Sequence, residues 1–123
     1  MKKITILLGL MLFFCCGTLM AEEFVPKHGC IENNGKRIEV KDLGGLPAFY
    51  ADYYRNEDVV KISSTAGRLT LRKGSFFYSC RGVRNGLLIT ATAYVSGGKI
   101  EKIIYEEYDR SRNITVIVSY FNK

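Results

Sequence analysis

Along the second half of the chain apolar and polar side chains alternate with period two, as strands do when one face is buried and the other meets water. Leu69 and Leu71 alternate with Arg68, Thr70 and Arg72. After a tight connection at Lys73 and Gly74, Phe76, Tyr78 and Cys80 alternate with Phe77, Ser79 and Arg81. Gly82 to Gly86 then reads as a hairpin turn, because Asn85-Gly86 tolerates the positive φ that such turns require. The next strand sets Leu87, Ile89, Ala91, Ala93 and Val95 on one face and Leu88, Thr90, Thr92 and Tyr94 on the other.

A Gly97-Gly98 turn follows, and then a segment with mixed signals. Ile100, Ile103, Ile104 and Tyr108 have helical spacing, yet the preceding turn, the isoleucines and the neighbouring strands favour a strand with a bulge near Lys102. Asp109 to Asn113 is a polar turn, and residues 114–121 alternate through Val116, Val118 and Tyr120.

The first half is less regular. Residues 22–35 carry Pro26, Gly29, Asn33 and Asn34 and read as an extended arm, followed by a short strand over 36–42 with Ile38 and Val40 on one face. Two glycines within 43–46 interrupt it. Pro47 suits a first helical position, and Phe49, Tyr50, Tyr53 and Tyr54 recur at spacings that line one side of a helix, so a helix with an aromatic core face is predicted over 48–55. Residues 58–62 fit either a helical continuation or a strand, and 63–67 a turn. The fold class expected is α+β: one N-terminal helix packed on an antiparallel β-meander of four to five strands. Ala91 and Ala93 would leave room for that helix.

The beginning of the chain changes this picture. Lys2 and Lys3 precede an uncharged stretch from Ile4 to Ala21, and Glu22 and Glu23 follow. That pattern is read as a secretory signal peptide, residues 1–21, cleaved after Ala21 and leaving 22–123 as a single small secreted domain. Retention as an anchor is one alternative, since the stretch is near membrane-spanning length. Lipid attachment at Cys15 or Cys16 is another, although Phe13 and Phe14 stand where lipid processing favours small side chains. The expected location is therefore periplasmic or secreted, in a bacterial envelope.

Export gives the remaining cysteines a meaning. Only Cys30 and Cys80 lie beyond residue 21, and in an oxidising compartment they are expected to form one disulfide. By the chain-entropy model such a bridge would restrict the unfolded chain by roughly 3–4 kcal/mol. Residues 22–123 carry 16 basic and 12 acidic side chains, a net charge of +4 that favours acidic partners without demanding nucleic acid.

Candidate chemistry is sparse. His28 is the sole histidine, so a histidine-assisted nucleophile would have to recruit it from the arm. Glu106 and Glu107, with Arg110 nearby, suggest a small secreted hydrolase such as a ribonuclease, but neighbouring strand residues face opposite ways. No phosphate-binding loop or metal-ligand spacing is present, and no cofactor is expected. Asn113-Ile114-Thr115 matches a glycosylation sequon that a bacterial envelope protein would not use.

One regional signal remains. Arg68, Arg72, Lys73, Arg81 and Arg84 fall in a stretch without a single acidic residue. Arg68, Arg72 and Arg81, with Phe77, belong to outward strand faces. Arg68, Arg72, Phe77, Arg81 and Arg84 are the candidate binding residues. They suggest a non-enzymatic inhibitor, immunity or envelope accessory factor whose partner is an acidic protein or, alternatively, an anionic envelope component. The acidic group at Glu101, Glu106, Glu107 and Asp109 disfavours nucleic acid.

Overall fold

The computed structural model describes residues 22–65 and 67–123, so the expected signal segment, with Cys15 and Cys16, lies outside the described residues. Among the described residues nine strands follow one another: β1 (Glu22–Asn33), β2 (Lys36–Val40), β3 (Phe49–Tyr54), β4 (Val59–Ser64), β5 (Gly67–Lys73), β6 (Tyr78–Arg84), β7 (Leu87–Ser96), β8 (Lys99–Asp109) and β9 (Ile114–Asn122). Among the described residues the sole helical element is a single 3-10 turn at Arg55–Glu57.

Sequence neighbours from β3 to β9 pair antiparallel, and β9 then returns to β1 along a ladder running from Ile114 opposite Asn33 to Asn122 opposite Phe24. At its start β1 also pairs with β3, through Glu22 to Phe24. The result is a closed antiparallel barrel of eight strands, with β2 folded back on the outer half of β1 as an extra hairpin arm. The closing ladder shifts register between Ser119 and Tyr120, where Lys27 is the extra residue. This bulge falls beside Pro26, which has no N–H to offer a ladder.

The expected helix over 48–55 is therefore corrected: Phe49–Tyr54 is a strand. Its aromatic residues fit both periods, and the ring decides between them. Phe49, Ala51 and Tyr53 turn inward, while Tyr50 and Tyr54 are exposed on the outside. The arm over 22–35 is likewise a full strand, and it is the one that closes the barrel. Residues 100–108 are strand throughout, with Tyr94 opposite Lys102 and Val95 opposite Ile100, so that Glu101 is the bulged residue.

The space beside Ala91 and Ala93 is filled from within the barrel. Ala91 stands between Cys80 and Tyr105, and Ala93 between Tyr78 and Ile103. Small and large side chains thus alternate around the interior, as a narrow barrel requires. The Phe49 ring lies 5.5 Å from that of Tyr105 and 4.6 Å from that of Tyr120, so rings from three strands meet across the interior. Phe24, Val60, Ile62, Leu71 and Ile103 are fully buried there. Each contributes about 1.5–3 kcal/mol by leaving water. The wall is apolar inside and largely polar outside, the reverse of a barrel wall that faces lipid.

The expected disulfide is absent, and both cysteines are free. Cys30 sits opposite Ile117 on the outer face of β1, whereas Cys80 sits opposite Ala91 and packs against the core. Three strands separate β1 from β6 in either direction around the ring. A disulfide needs its two Cβ atoms about 3.5–4.5 Å apart, which residues on opposite walls facing opposite ways cannot provide. Phe76 also departs from its expected inward face: it lies in the connection before β6 and is 89% exposed.

Candidate functional site

The shortest ladder in the wall, among the described residues, lies between β5 and β6. These strands pair only at Arg72 with Ser79 and Lys73 with Tyr78. On its other edge β5 pairs with β4 from Arg72 to Gly67, and β6 pairs with β7 from Tyr78 to Arg84. Continuing the β5–β6 register would set Leu71 against Cys80, Thr70 against Arg81, Leu69 against Gly82 and Arg68 against Val83. Instead a cleft of about 220 Å³ opens there, lined by Arg68, Leu69, Thr70, Ile89 and residues 80–84. A Cβ placed on Gly82 would meet nothing within 4 Å, so this position leaves the wall open. At the far end the Arg84 guanidinium comes within 3.2 Å of where a Cβ of Gly67 would lie, and it bounds the seam there.

Alternation along the two strands sorts the basic residues. Arg68, Thr70 and Arg72 on β5, and Arg81 on β6, are exposed on the outer face. Lys73 is compensated by Asp58 at 3.9 Å. Among the described residues no carboxylate forms an ion pair with Arg68, Arg72 or Arg81. Exposed apolar side chains mark both ends of this strip, Phe76 and Phe77 at one and Val83, 76% exposed, at the other. Phe77 lies 5.7 Å from the Tyr94 ring, over which the Lys102 ammonium sits at 5.0 Å.

Arg84 parts company with the other candidate residues. It faces inward at one mouth of the barrel, where Phe49, Leu69, Tyr105, Glu107 and Tyr120 line a recess of about 100 Å³ covered by Leu46 and Pro47. The covering loop is seated through Leu43, whose Cδ2 is 2.8 Å from where a Cβ of Gly29 would be, so a side chain at that position would have to displace Leu43. Tyr105 donates its hydroxyl to Glu107 at 3.1 Å. Burial, reinforced by the Glu107 carboxylate, pushes the phenols of Tyr105 and Tyr120 up to about 12. The Arg84 charge opposes this at Tyr105. The inward setting of Glu107 was overlooked in the sequence, although Ile103, Tyr105 and Glu107 continue one period-two face.

The residues of the hydrolase alternative are not brought together. His28 stands on the outer face of β1, edge-on to Phe121 at 6.0 Å, and opposite Ser119. Glu106 lies on the outer face of β8 opposite Ile117. Strand β9 runs between them and their rows are offset, a separation of roughly 10 Å or more from strand spacing alone. The Cys80 thiol is pushed up by burial, against a smaller lowering from the Ala91 backbone and Arg84, so the thiolate that nucleophilic chemistry needs is disfavoured.

No protein-family model, curated protein or solved structure matches this chain at a significant level.

Proposed function

We propose that this chain is a non-enzymatic binding protein of the bacterial envelope, an inhibitor, immunity or accessory factor that recognises an acidic protein through Arg68, Arg72, Phe77 and Arg81. The observation that carries this reading is the strip of arginines on the outer face of β5 and β6 that no carboxylate among the described residues pairs, flanked by exposed Phe76, Phe77 and Val83. Arginine and aromatic side chains dominate interface energetics, because a guanidinium grips carboxylates with paired hydrogen bonds while rings bury area at small entropic cost. Arg72 is further positioned by ladders on both sides, to Val59 and to Ser79. Export rests on the Lys2-Lys3 and Ile4 to Ala21 pattern, and intact-mass analysis of envelope protein beginning at Glu22 tests it.

Affinity capture from envelope extract, with the captured protein then purified and titrated, tests the binding reading. The Arg72→Glu plus Arg81→Glu variant should weaken binding by about a hundredfold, taking about 1–2 kcal/mol for each reversed charge-assisted contact. Unchanged affinity in that variant would place the interface elsewhere. Affinity should also fall with rising salt, since exposed charges are screened.

A further inference from the structure

We infer that the partner docks by strand addition: an extended acidic segment enters the β5/β6 seam and pairs with the backbone there. This inference rests on the binding reading above and specifies its mode. Barrels normally leave no free strand edges, yet here the ladder stops after Arg72–Ser79 and Lys73–Tyr78 while both strands continue. Leu69 to Leu71 on one side and Cys80 to Val83 on the other form a short template of backbone donors and acceptors, which is what an added strand requires.

The chemistry of the two faces specifies the occupant. An inserted strand would direct alternate side chains inward and outward. Inward they would meet Leu69, Cys80 and Ile89 and the open position at Gly82, a surface suited to small or branched apolar groups. Outward they would lie between Arg68 and Arg81, whose charges no carboxylate of the described residues pairs. Alternating acidic and apolar residues satisfy both faces at once. A second copy of this barrel would bring the same arginines and repel, so charge complementarity selects an acidic partner.

Fluorescence anisotropy with the whole protein and a labelled heptapeptide of alternating glutamate and valine tests the mode. Two further peptides carry N-methyl groups on the valine amides or on the glutamate amides, each blocking one edge. The unmodified peptide should bind, and at least one methylated form should lose about tenfold or more, since each lost backbone hydrogen bond costs about 0.5–1.5 kcal/mol. Gly82→Val should fill the gap in the wall and weaken binding by a similar factor. Nothing lies within 4 Å of its new Cβ, so folding, checked by circular dichroism, should be retained. If Gly82→Val unfolds, Gly82→Ala replaces it.

Absence of binding at millimolar peptide, or equal binding of all three glutamate peptides, overturns strand addition. Peptide binding that survives methylation and Gly82→Val but is lost in Arg68→Glu plus Arg81→Glu overturns it as well, while leaving the basic surface as the docking site. Failure of the Arg72→Glu plus Arg81→Glu capture experiment is a separate result and strikes the binding reading itself.

Discussion

Cys30 and Cys80 show how much a single residue's environment depends on the face it occupies. Both are free thiols of intermediate exposure, but Cys80 packs inward among apolar neighbours and its thiol is raised by burial. Alkylation of the native protein followed by peptide mapping should label Cys30 before Cys80, and unfolding without reductant should make both reactive. Recovery of a peptide linking the two would refute their placement on opposite walls. The tyrosines report on the same interior. Tyr78 is held up to about 12, first by its hydrogen bond to Tyr53 at 3.1 Å and then by burial, and Tyr105 and Tyr120 by burial first. Between the ordinary value of 10 and about 12 these phenols keep a proton in the fold that the unfolded chain has released. Folded protein then binds more protons than unfolded, so stability falls as pH rises through that interval and is untouched near neutrality. Denaturant melts at stepped alkaline pH should show this decline, and Tyr120→Phe should make it shallower. In the core, Ile103→Ala should cost about 2–5 kcal/mol, read as a lower denaturation midpoint.

The elements separate into those encoded locally and those that are not. The β6–β7 hairpin was legible because its turn chemistry is local: Asn85 and Gly86 take φ of 53° and 80°, as Asn-Gly in a tight hairpin should. Gly86→Val should destabilise by about 1–2 kcal/mol through forced positive φ. The β3 strand was misread because Phe49, Tyr50, Tyr53 and Tyr54 suit a helical stripe as well as an alternation. A rotation of the same residues onto two faces leaves Tyr50 49% exposed, a cost that only inward packing of Phe49, Ala51 and Tyr53 can offset. The seam could not be read, since Gly82 to Arg84 read as part of a turn although β6 runs on through them, and nothing in either strand specifies that their ladder stops early. Hydrogen exchange should find the amides of residues 69–71 and 80–83 with less protection, on their seam-facing edge, than those of the β7–β8 and β8–β9 ladders. Uniform protection around the ring would mean that the wall is continuous.

At the scale of the molecule, the barrel is closed by pairing the first strand with the last. Residues 114–122 pair with residues 24–33, so many contacts are distant in sequence. Folding should accordingly relax in about milliseconds to seconds, as for other topologies dominated by non-local pairing. Val118→Pro would remove a backbone donor from the closing strand and, with Val118 buried opposite Gly29, should weaken folding cooperativity more than the same change at the exposed Ile38 in the peripheral β2 arm. Stopped-flow refolding and denaturant melts check both expectations.

The basic strip was also partly legible: Arg68, Arg72 and Arg81 are outward because strand alternation places them there, whereas Phe77 lies in the connection before β6 against Tyr94 and Arg84 turns into the barrel mouth. What the chain alone determined was local, namely the strand periodicity from residue 68 onward, the hairpin turns, and which face of each late strand carries apolar side chains. Those follow from backbone geometry within a few residues. Tertiary structure alone decided that the arm is a strand, that Tyr78 and Tyr105 occupy the space beside the alanines, and that Cys30 and Cys80 never meet. The reason is that these features depend on which strand edge finds which across the ring, and edge pairing between the two ends of a chain leaves no mark in the periodicity of either.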